Sequence, residues 1–312
     1  MAETYSLGGT FVMTGMSYGE HITPAGQQEY TEPGTYSWSA PPEVYFVCVV
    51  AVGAGGFNAS NTVPGQGGGG GGGALAYKNN IIVTPGQSYT VIVGNVFNGG
   101  PGGDSSFTAN FGTMIAGGGK GNPTFQIETK IGAAGGQPSG IYDGGGAGGK
   151  GGDYNYNPSP QYYPQGFGGG GGAGGYSGNG GDGGSNNSAG SNGNGGGGGG
   201  GASAQTAGGS LGGGVGIYGE GTSGLGQPNG YSPNPSGGGG GPGSGGFNGF
   251  RANTTWRVDD PSVGGINADV GRWYGGGGTT WIGGFSYYAG KGAVRIIWGN
   301  DRAFPSTNTA NV

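Results

Sequence analysis

Charge is scarce in this chain of 312 residues: Lys, Arg, Asp and Glu together make up 8% of it, and the net charge at pH 7 is −5. Without a basic patch there is no electrostatic footprint for nucleic acid, and an acidic chain is not drawn to an anionic membrane surface. Histidine occurs once, at His21, in a polar stretch with no nucleophile or carboxylate pair beside it, so a general-base arrangement is missing. Cysteine also occurs once, which excludes an internal disulfide and any cysteine-cluster metal site; Cys48 stands in the apolar run from Val44 to Val52 and reads as a buried structural thiol. No run approaches the roughly 18 apolar residues of a membrane span, and MAETYSLGGT has neither the basic nor the apolar part of a secretory leader. These absences lead us to expect a non-enzymatic protein made in the cytoplasm, with no cofactor, no bound metal, no nucleic acid and no membrane insertion.

What the chain has instead is glycine, 93 residues of it, where ordinary usage is about 7%. Collagen needs glycine at every third place with proline between, whereas the runs here are nearly proline-free and carry two glycines per other residue. A flexible linker needs no aromatics, yet there are 18 Tyr, 12 Phe and 5 Trp.

Conventional strand signals cluster at the two ends. Gln28 to Val52 reads as two strands around a proline turn; Ala74 to Val83, Ser88 to Gly94, Ser105 to Ala109 and Thr113 to Ala116 follow. A last candidate, Gly292 to Gly299, cannot stand alone and is expected to return to the first sheet. Between about Gly117 and Lys291 there is no helical period, and glycine disfavours helix by about 1 kcal/mol per residue relative to alanine. The period there is three: Ala173, Tyr176, Asn179, Asp182 and Ser185 succeed one another with glycine at nearly all intervening places, and Ala147, Lys150 and Asp153, then Ser244, Phe247 and Phe250, repeat it.

Three residues per turn is the repeat of the extended left-handed polyproline or polyglycine II helix, which has no internal hydrogen bonds. Side-by-side packing of such helices would leave no room for a side chain at two positions of three and turn the third outward, with backbone groups bonding between helices. The expected fold is therefore mainly β plus polyglycine II, with almost no α-helix. A jelly-roll-like β-sandwich forms from residues 28–130 plus 289–304 and a glycine-rich bundle from 131–288. Residues 1–27 are an attachment arm or a disordered segment, and 305–312 are a tail.

Two resemblances rest on particular residues. GTYSWSAP, VCVVAVGAGG, GGGGGGGALAYKNNIIVTPGQSYTVIVGN, GGDSSF and MIAGGG resemble the glycine-rich region of the anaplastic lymphoma kinase ectodomain family, which implies a tumour-necrosis-factor-like jelly roll with a projecting bundle of polyglycine helices. The ending GAVRIIWGNDRAFPSTNTANV resembles the close of glycine-rich virion proteins of marine bacteriophages, particularly those of cyanobacteria. The glycine-rich centre is similar in kind to the distal tail-fibre adhesins of T-even-like phages. The resemblance implies a virion appendage whose loops meet a host-surface glycan or outer-membrane protein, with other fibre proteins and a possible homotrimer as partners. The alternative is a purely structural virion part, such as a head fibre, decoration or fibre connector.

Candidate recognition residues are aromatic and polar groups in the expected loops, because rings stack on sugars while amides and carboxylates take hydroxyl hydrogen bonds. Tyr154, Tyr156, Tyr162 and Tyr163 form one cluster, Tyr218, Asn229 and Tyr231 a second, and Phe250, Arg251, Trp256, Arg257, Asp259 and Asp260 a third. The competing reading is that these rings cap rod ends or fill gaps. Trp273, Tyr274, Trp281, Phe285, Tyr287 and Tyr288 are assigned to structure, and Trp38 and Trp298 to the core. Asp259 and Asp260 lack the second, opposed acid of a glycosidase, and Gly149-Lys150-Gly151 lacks the Ser or Thr of a phosphate loop. An ice-binding plane would need broad Ala, Thr and Ser surfaces in the glycine region, where bulky Tyr and Lys stand instead.

Overall fold

The computed structural model describes residues 24–57, 67–97, 100–121, 131–154, 168–185, 188–202, 209–228, 243–244, 246, 274–278, 289–306 and 309. Ten strands and no helix are found among them: β1 Gly26–Tyr30, β2 Gly34–Ser39, β3 Phe46–Val52, β4 Leu75–Ile82, β5 Ser88–Val93, β6 Ser105–Ala109, β7 Gly112–Ala116, β8 Pro138–Gly140, β9 Gly144–Gly146 and β10 Ala293–Trp298. They form two antiparallel five-stranded sheets, β1-β10-β3-β4-β9 and β2-β5-β6-β7-β8, packed as a sandwich.

The closing strand does return to the first sheet. β10 lies between β1 and β3, with Gly26 opposite Trp298 and Val52 opposite Ala293. The stretch from 28 to 52 contributes three strands rather than two, because residues 31–33 break β1 from β2 before the second turn reaches β3.

Local pattern explains the layers. In β5, Ser-Tyr-Thr-Val-Ile-Val, burial alternates residue by residue, the mark of a strand with one face on a core and one in water. β3, Phe-Val-Cys-Val-Val-Ala-Val, is buried on both faces after Phe46 and accordingly reads as an unbroken apolar run. Val47, Val49 and Ala51 point into the sandwich with Trp38, Phe107 and Ile296. Cys48, Val50 and Val52 point the other way, into a second cluster with Leu75, Tyr77 and Ile297 that meets Tyr176, Ile217 and Tyr274 from the glycine-rich part. Cys48 is buried there, as its neighbours in sequence require.

Glycine segments join the strands at one end of the sandwich. Residues 53–57 leave β3, 67–74 enter β4, 117–121 leave β7, 147–154 leave β9 and 289–292 enter β10. The array they build also contains 168–176, 178–185, 195–202, 209–216 and 274–278. Glycine-rich packing thus starts well before residue 131, and β8 and β9 lie after residue 130.

Candidate recognition end of the glycine array

Segment 69–74 shows how the array is held. Successive N–H groups donate to six different carbonyls in fixed rotation: Gly69 to Gly152, Gly70 to Gly278, Gly71 to Lys120, then Gly72 to Gly149, Gly73 to Gly275 and Ala74 to Gly117. The same three neighbouring segments recur every third residue, so the chain completes one turn in three residues. Its carbonyls obey the same rule, accepting from Ala133 and Gly136, from Gly171 and Gly174, and from Gly56 and Gly53. Six segments therefore surround it, and segment 168–176 behaves alike: Gly169 donates to Gly184, Gly170 to Ser210, Gly171 to Gly70, Gly172 to Gly181, Ala173 to Gly213 and Gly174 to Gly73. Backbone groups that would be stranded away from water are satisfied laterally.

The spacing leaves no room for side chains. A Cβ added at any of Gly69 to Gly73 would stand 1.8 to 2.0 Å from a neighbouring carbonyl oxygen. Non-glycine residues are admitted in two settings. Ala173, Tyr176, Val215, Ile217 and Tyr274 face sheet β1-β10-β3-β4-β9, where Tyr176 is fully buried and stacks on Phe304 at 5.9 Å. The Tyr176 hydroxyl donates to the Gly216 carbonyl at 3.2 Å and accepts from the Gly219 N–H at 3.1 Å, and burial raises its pKa.

The second setting is the rim. The expectation that Asn179, Asp182 and Ser185 simply face outward is replaced by a sideways ladder. Their side-chain oxygens accept from the N–H groups of Ala147, Lys150 and Asp153 at 3.0, 2.7 and 2.7 Å. Elsewhere on the rim Asp104 takes the Gly118 N–H, Asp153 that of Gly132, Ser191 that of Asp182 and Asn192 that of Gly226. Short Asn, Asp and Ser side chains supply the acceptor that a further glycine segment would otherwise provide.

Segment directions define two ends. Residues 53–57 run antiparallel to 67–74, as do 117–121 and 147–154, while 168–176 run parallel to it. Phe57 and Gly67, Gly121 and Ile131, Tyr154 and Gly168, Ala202 and Gly209, and Gly278 and Ala289 all lie at the end farthest from the sandwich. The spans 58–66, 122–130, 155–167, 203–208 and 279–288 therefore leave and rejoin the array at that far end. The span 247–273 is bracketed differently: Gly243 and Tyr274 both bridge Val215, close to the sheet.

Of the residues singled out for recognition, Tyr154 and Tyr218 are described. Tyr154 is buried at the far end of its segment. Tyr218 is half-buried near the sandwich: its hydroxyl donates to Glu29 at 2.7 Å, and the Arg295 guanidinium lies 4.2 Å over its ring. Tyr156, Tyr162, Tyr163, Asn229, Tyr231, Phe250, Arg251, Trp256, Arg257, Asp259 and Asp260 lie outside the described residues, as do Trp273, Trp281, Phe285, Tyr287 and Tyr288. Tyr274 and Trp38 are buried, and Trp298 packs against the sandwich core.

Sequence reading missed Arg295. It is fully buried on β10, donates to the Ile217 carbonyl at 3.2 Å and to Gln27 and the Thr309 carbonyl, and its Nε lies 3.4 Å from Glu29. Burial lowers its pKa, and the nearby Glu29 and Tyr218 oppose that shift. The signal was available: a charge inside Ala-Val-Arg-Ile-Ile-Trp, on a strand that must be buried, demands partners.

Among the described residues no group of three or more His, Cys, Asp or Glu could hold a metal ion, and no helix is long and apolar enough to cross a membrane. A family model described as a glycine-rich domain matches residues 31–253, which takes in β2 to β9 and most of the array. No curated protein matches the chain.

Proposed function

The chain belongs to the glycine-rich domain family, and from that premise we propose that it is a non-enzymatic bacteriophage virion appendage, a tail-fibre tip adhesin that binds a host-surface glycan. In this reading its array segments are polyglycine II helices, which the three-residue rotation of hydrogen-bond partners supports. The observation that carries the functional reading is the polarity of the molecule. Five spans leave and rejoin the array at the end farthest from the sandwich, whereas Gly26 and Trp298 lie at the opposite end. A rigid scaffold holding chain turns clear of its base is the arrangement on which recognition residues are usually carried.

Tyr156, Tyr162 and Tyr163 belong to the span 155–167, so they are the first choice for glycan stacking. Tyrosine offers an apolar face and a hydroxyl for little conformational entropy. The third cluster, Phe250 to Asp260, belongs to the span 247–273, whose bracketing residues Gly243 and Tyr274 both bridge Val215 near the sheet, and it is the second choice. A purely structural virion part is the second reading, favoured by Tyr45, Phe46 and Ile82, which are 51%, 57% and 69% exposed at the base.

Binding of the full chain to host cells and to a glycan array separates the two. The adhesin reading expects binding that weakens more than about tenfold in the Tyr162→Ala/Tyr163→Ala variant, with its melting temperature unchanged. No binding by the wild type, or full binding by the variant, removes it.

A further inference from the structure

Every open sheet has edges, and exposed edges recruit other strands unless they are short, charged, bulged or interrupted by proline. Three of the four edges here carry such a device. β8 and β9 have three residues each, and β8 begins at Pro138. β1 carries a charge, Glu29, within the strand. β2 carries none of these protections within the strand itself, although Pro33 stands just before it. Its six residues, Gly-Thr-Tyr-Ser-Trp-Ser, include no charge and no proline, and they pair with β5 in unbroken register from Gly34 opposite Val93 to Ser39 opposite Ser88.

The free side of β2 can be assigned. The Ala40 N–H donates to the Gln87 carbonyl, and the Ala40 carbonyl accepts from Gly86, so Ala40 points toward β5. Alternation along the strand then turns Trp38 and Tyr36 the same way and leaves the N–H and C=O groups of Ser39, Ser37 and Thr35 on the open edge. A second, independent feature lies at the same side of the sandwich. Tyr30 of β1 and Tyr36 of β2 are half-buried, with ring centroids 4.9 Å apart.

We infer that the β2 edge is an interface for a second copy of this chain, added as an antiparallel strand about a two-fold axis at Ser37. In that register Ser37 meets its own counterpart, Thr35 meets Ser39 and Tyr36 meets Trp38, so residues of each face oppose residues of the same face. The chain is acidic, with net charge −5, and copies repel in most approaches; β2 brings no charge to the contact. Thr35, Ser37 and Ser39 are exposed and short, so few rotamers are lost on pairing, while the Tyr30–Tyr36 pair gains cover from the incoming strand. The joined sheets would make one ten-stranded sheet per dimer, with the two glycine arrays held by their sandwiches. Pairing at β2 does not depend on what the arrays bind.

The test is the mass of the full chain in solution, by light scattering and sedimentation from about 1 to about 100 µM. Wild type is expected to move from one chain to two across that range. Ser37→Lys sets like charges opposite each other at the axis and should leave a single chain at about 100 µM, with melting unchanged because residue 37 is exposed. Thr108→Lys, on the exposed face of the same sheet but in β6, should still form the two-chain species. A wild type that stays single at about 100 µM overturns the inference, as does a Ser37→Lys chain that pairs like wild type, or a Thr108→Lys chain that does not pair.

Discussion

Replacing Gly171 by alanine tests whether lateral backbone bonding holds the array. Gly171 lies mid-segment, donating to the Gly70 carbonyl at 2.9 Å and accepting from Gly277 at 2.8 Å. A Cβ at this place would be 2.0 Å from the Gly149 carbonyl oxygen. Non-bonded contact needs more than about 3 Å, so segment 147–154 would have to retreat by more than about 1 Å. Two bonds fix that segment against 168–176: Gly149 N–H to Gly172 at 2.8 Å and Gly152 N–H to Gly169 at 2.7 Å. Losing both where water has no access costs about 1–3 kcal/mol each, offset by up to about 1 kcal/mol because alanine stiffens the unfolded chain. The net expectation is a loss of about 1–6 kcal/mol. Gly86→Ala is the control. Nothing lies within 4 Å of its Cβ position, and only its φ of +78° opposes a side chain, which sets the cost at about 1–2 kcal/mol. Urea unfolding followed by tryptophan fluorescence reads both variants. Amide exchange should show extra opening in 147–154 and 168–176 for Gly171→Ala. If that variant matches wild type within about 0.5 kcal/mol, the array is not close-packed at this spot and the account of its stability fails.

Two further outcomes follow from single side chains. Asp153 accepts from the Gly132 N–H and from Lys150 Nζ, both at 2.8 Å; burial pushes its pKa up, but these bonds outweigh it and hold the carboxyl below its ordinary value. A carboxyl depressed in the folded state stabilises above the ordinary aspartate value of about 3.9, and that contribution disappears as pH falls through the folded value. Melting temperature should therefore drop below about pH 4, and Asp153→Asn should flatten the drop only in part, because Asp143, paired with Lys78 at 2.7 Å, is depressed in the same way. Water screens both half-exposed groups, so the effect is small. Cys48 is buried with its Sγ 3.3 Å from the Arg302 carbonyl, and burial raises its pKa. A thiol reagent should label it only as fast as the protein unfolds, and rapid labelling of folded protein would contradict its placement.

The strands were legible wherever side chains alternate or run apolar, as in β5 and β3. β8 and β9 were not, because Pro-Ser-Gly and Gly-Gly-Gly carry no pattern; they become strands only by pairing with Met114 to Ala116 and with Leu75 to Tyr77. The period of three was visible around Ala173 to Ser185, but it could not say which side chain turns inward. Tyr176 goes under the array against the sheet, and Asp182 turns onto the next segment. Tyr154 follows Gly-Gly-Asp much as an exposed residue could, and only the far end of the array shows it buried. For Tyr218 the decisive neighbour, Arg295, is 77 positions away in sequence, beyond the reach of any local pattern.

Repetition also sets a problem that the fold has to solve. In an array whose partners recur every third residue, sliding one segment by three places restores nearly every hydrogen bond, and the rim ladder of residues 179, 182 and 185 on 147, 150 and 153 has the same degeneracy. Glycine cannot choose between such registers, because each position is equivalent to the next in its row. The choice therefore falls to the apolar seam on the sandwich, where Ala173 and Tyr176 seat against Val52, Leu75 and Tyr77. A slip of three in one direction would put the methyl of Ala173 where the Tyr176 ring belongs, and a slip in the other would bury the amide of Asn179 there. The first leaves a cavity and the second strands a polar group, and either takes the Tyr176 hydroxyl away from Gly216 and Gly219. The sandwich is thus more than a base. It is the template that converts a family of equivalent glycine packings into one, and the placement of the described residues that end each segment at the far end depends on that choice.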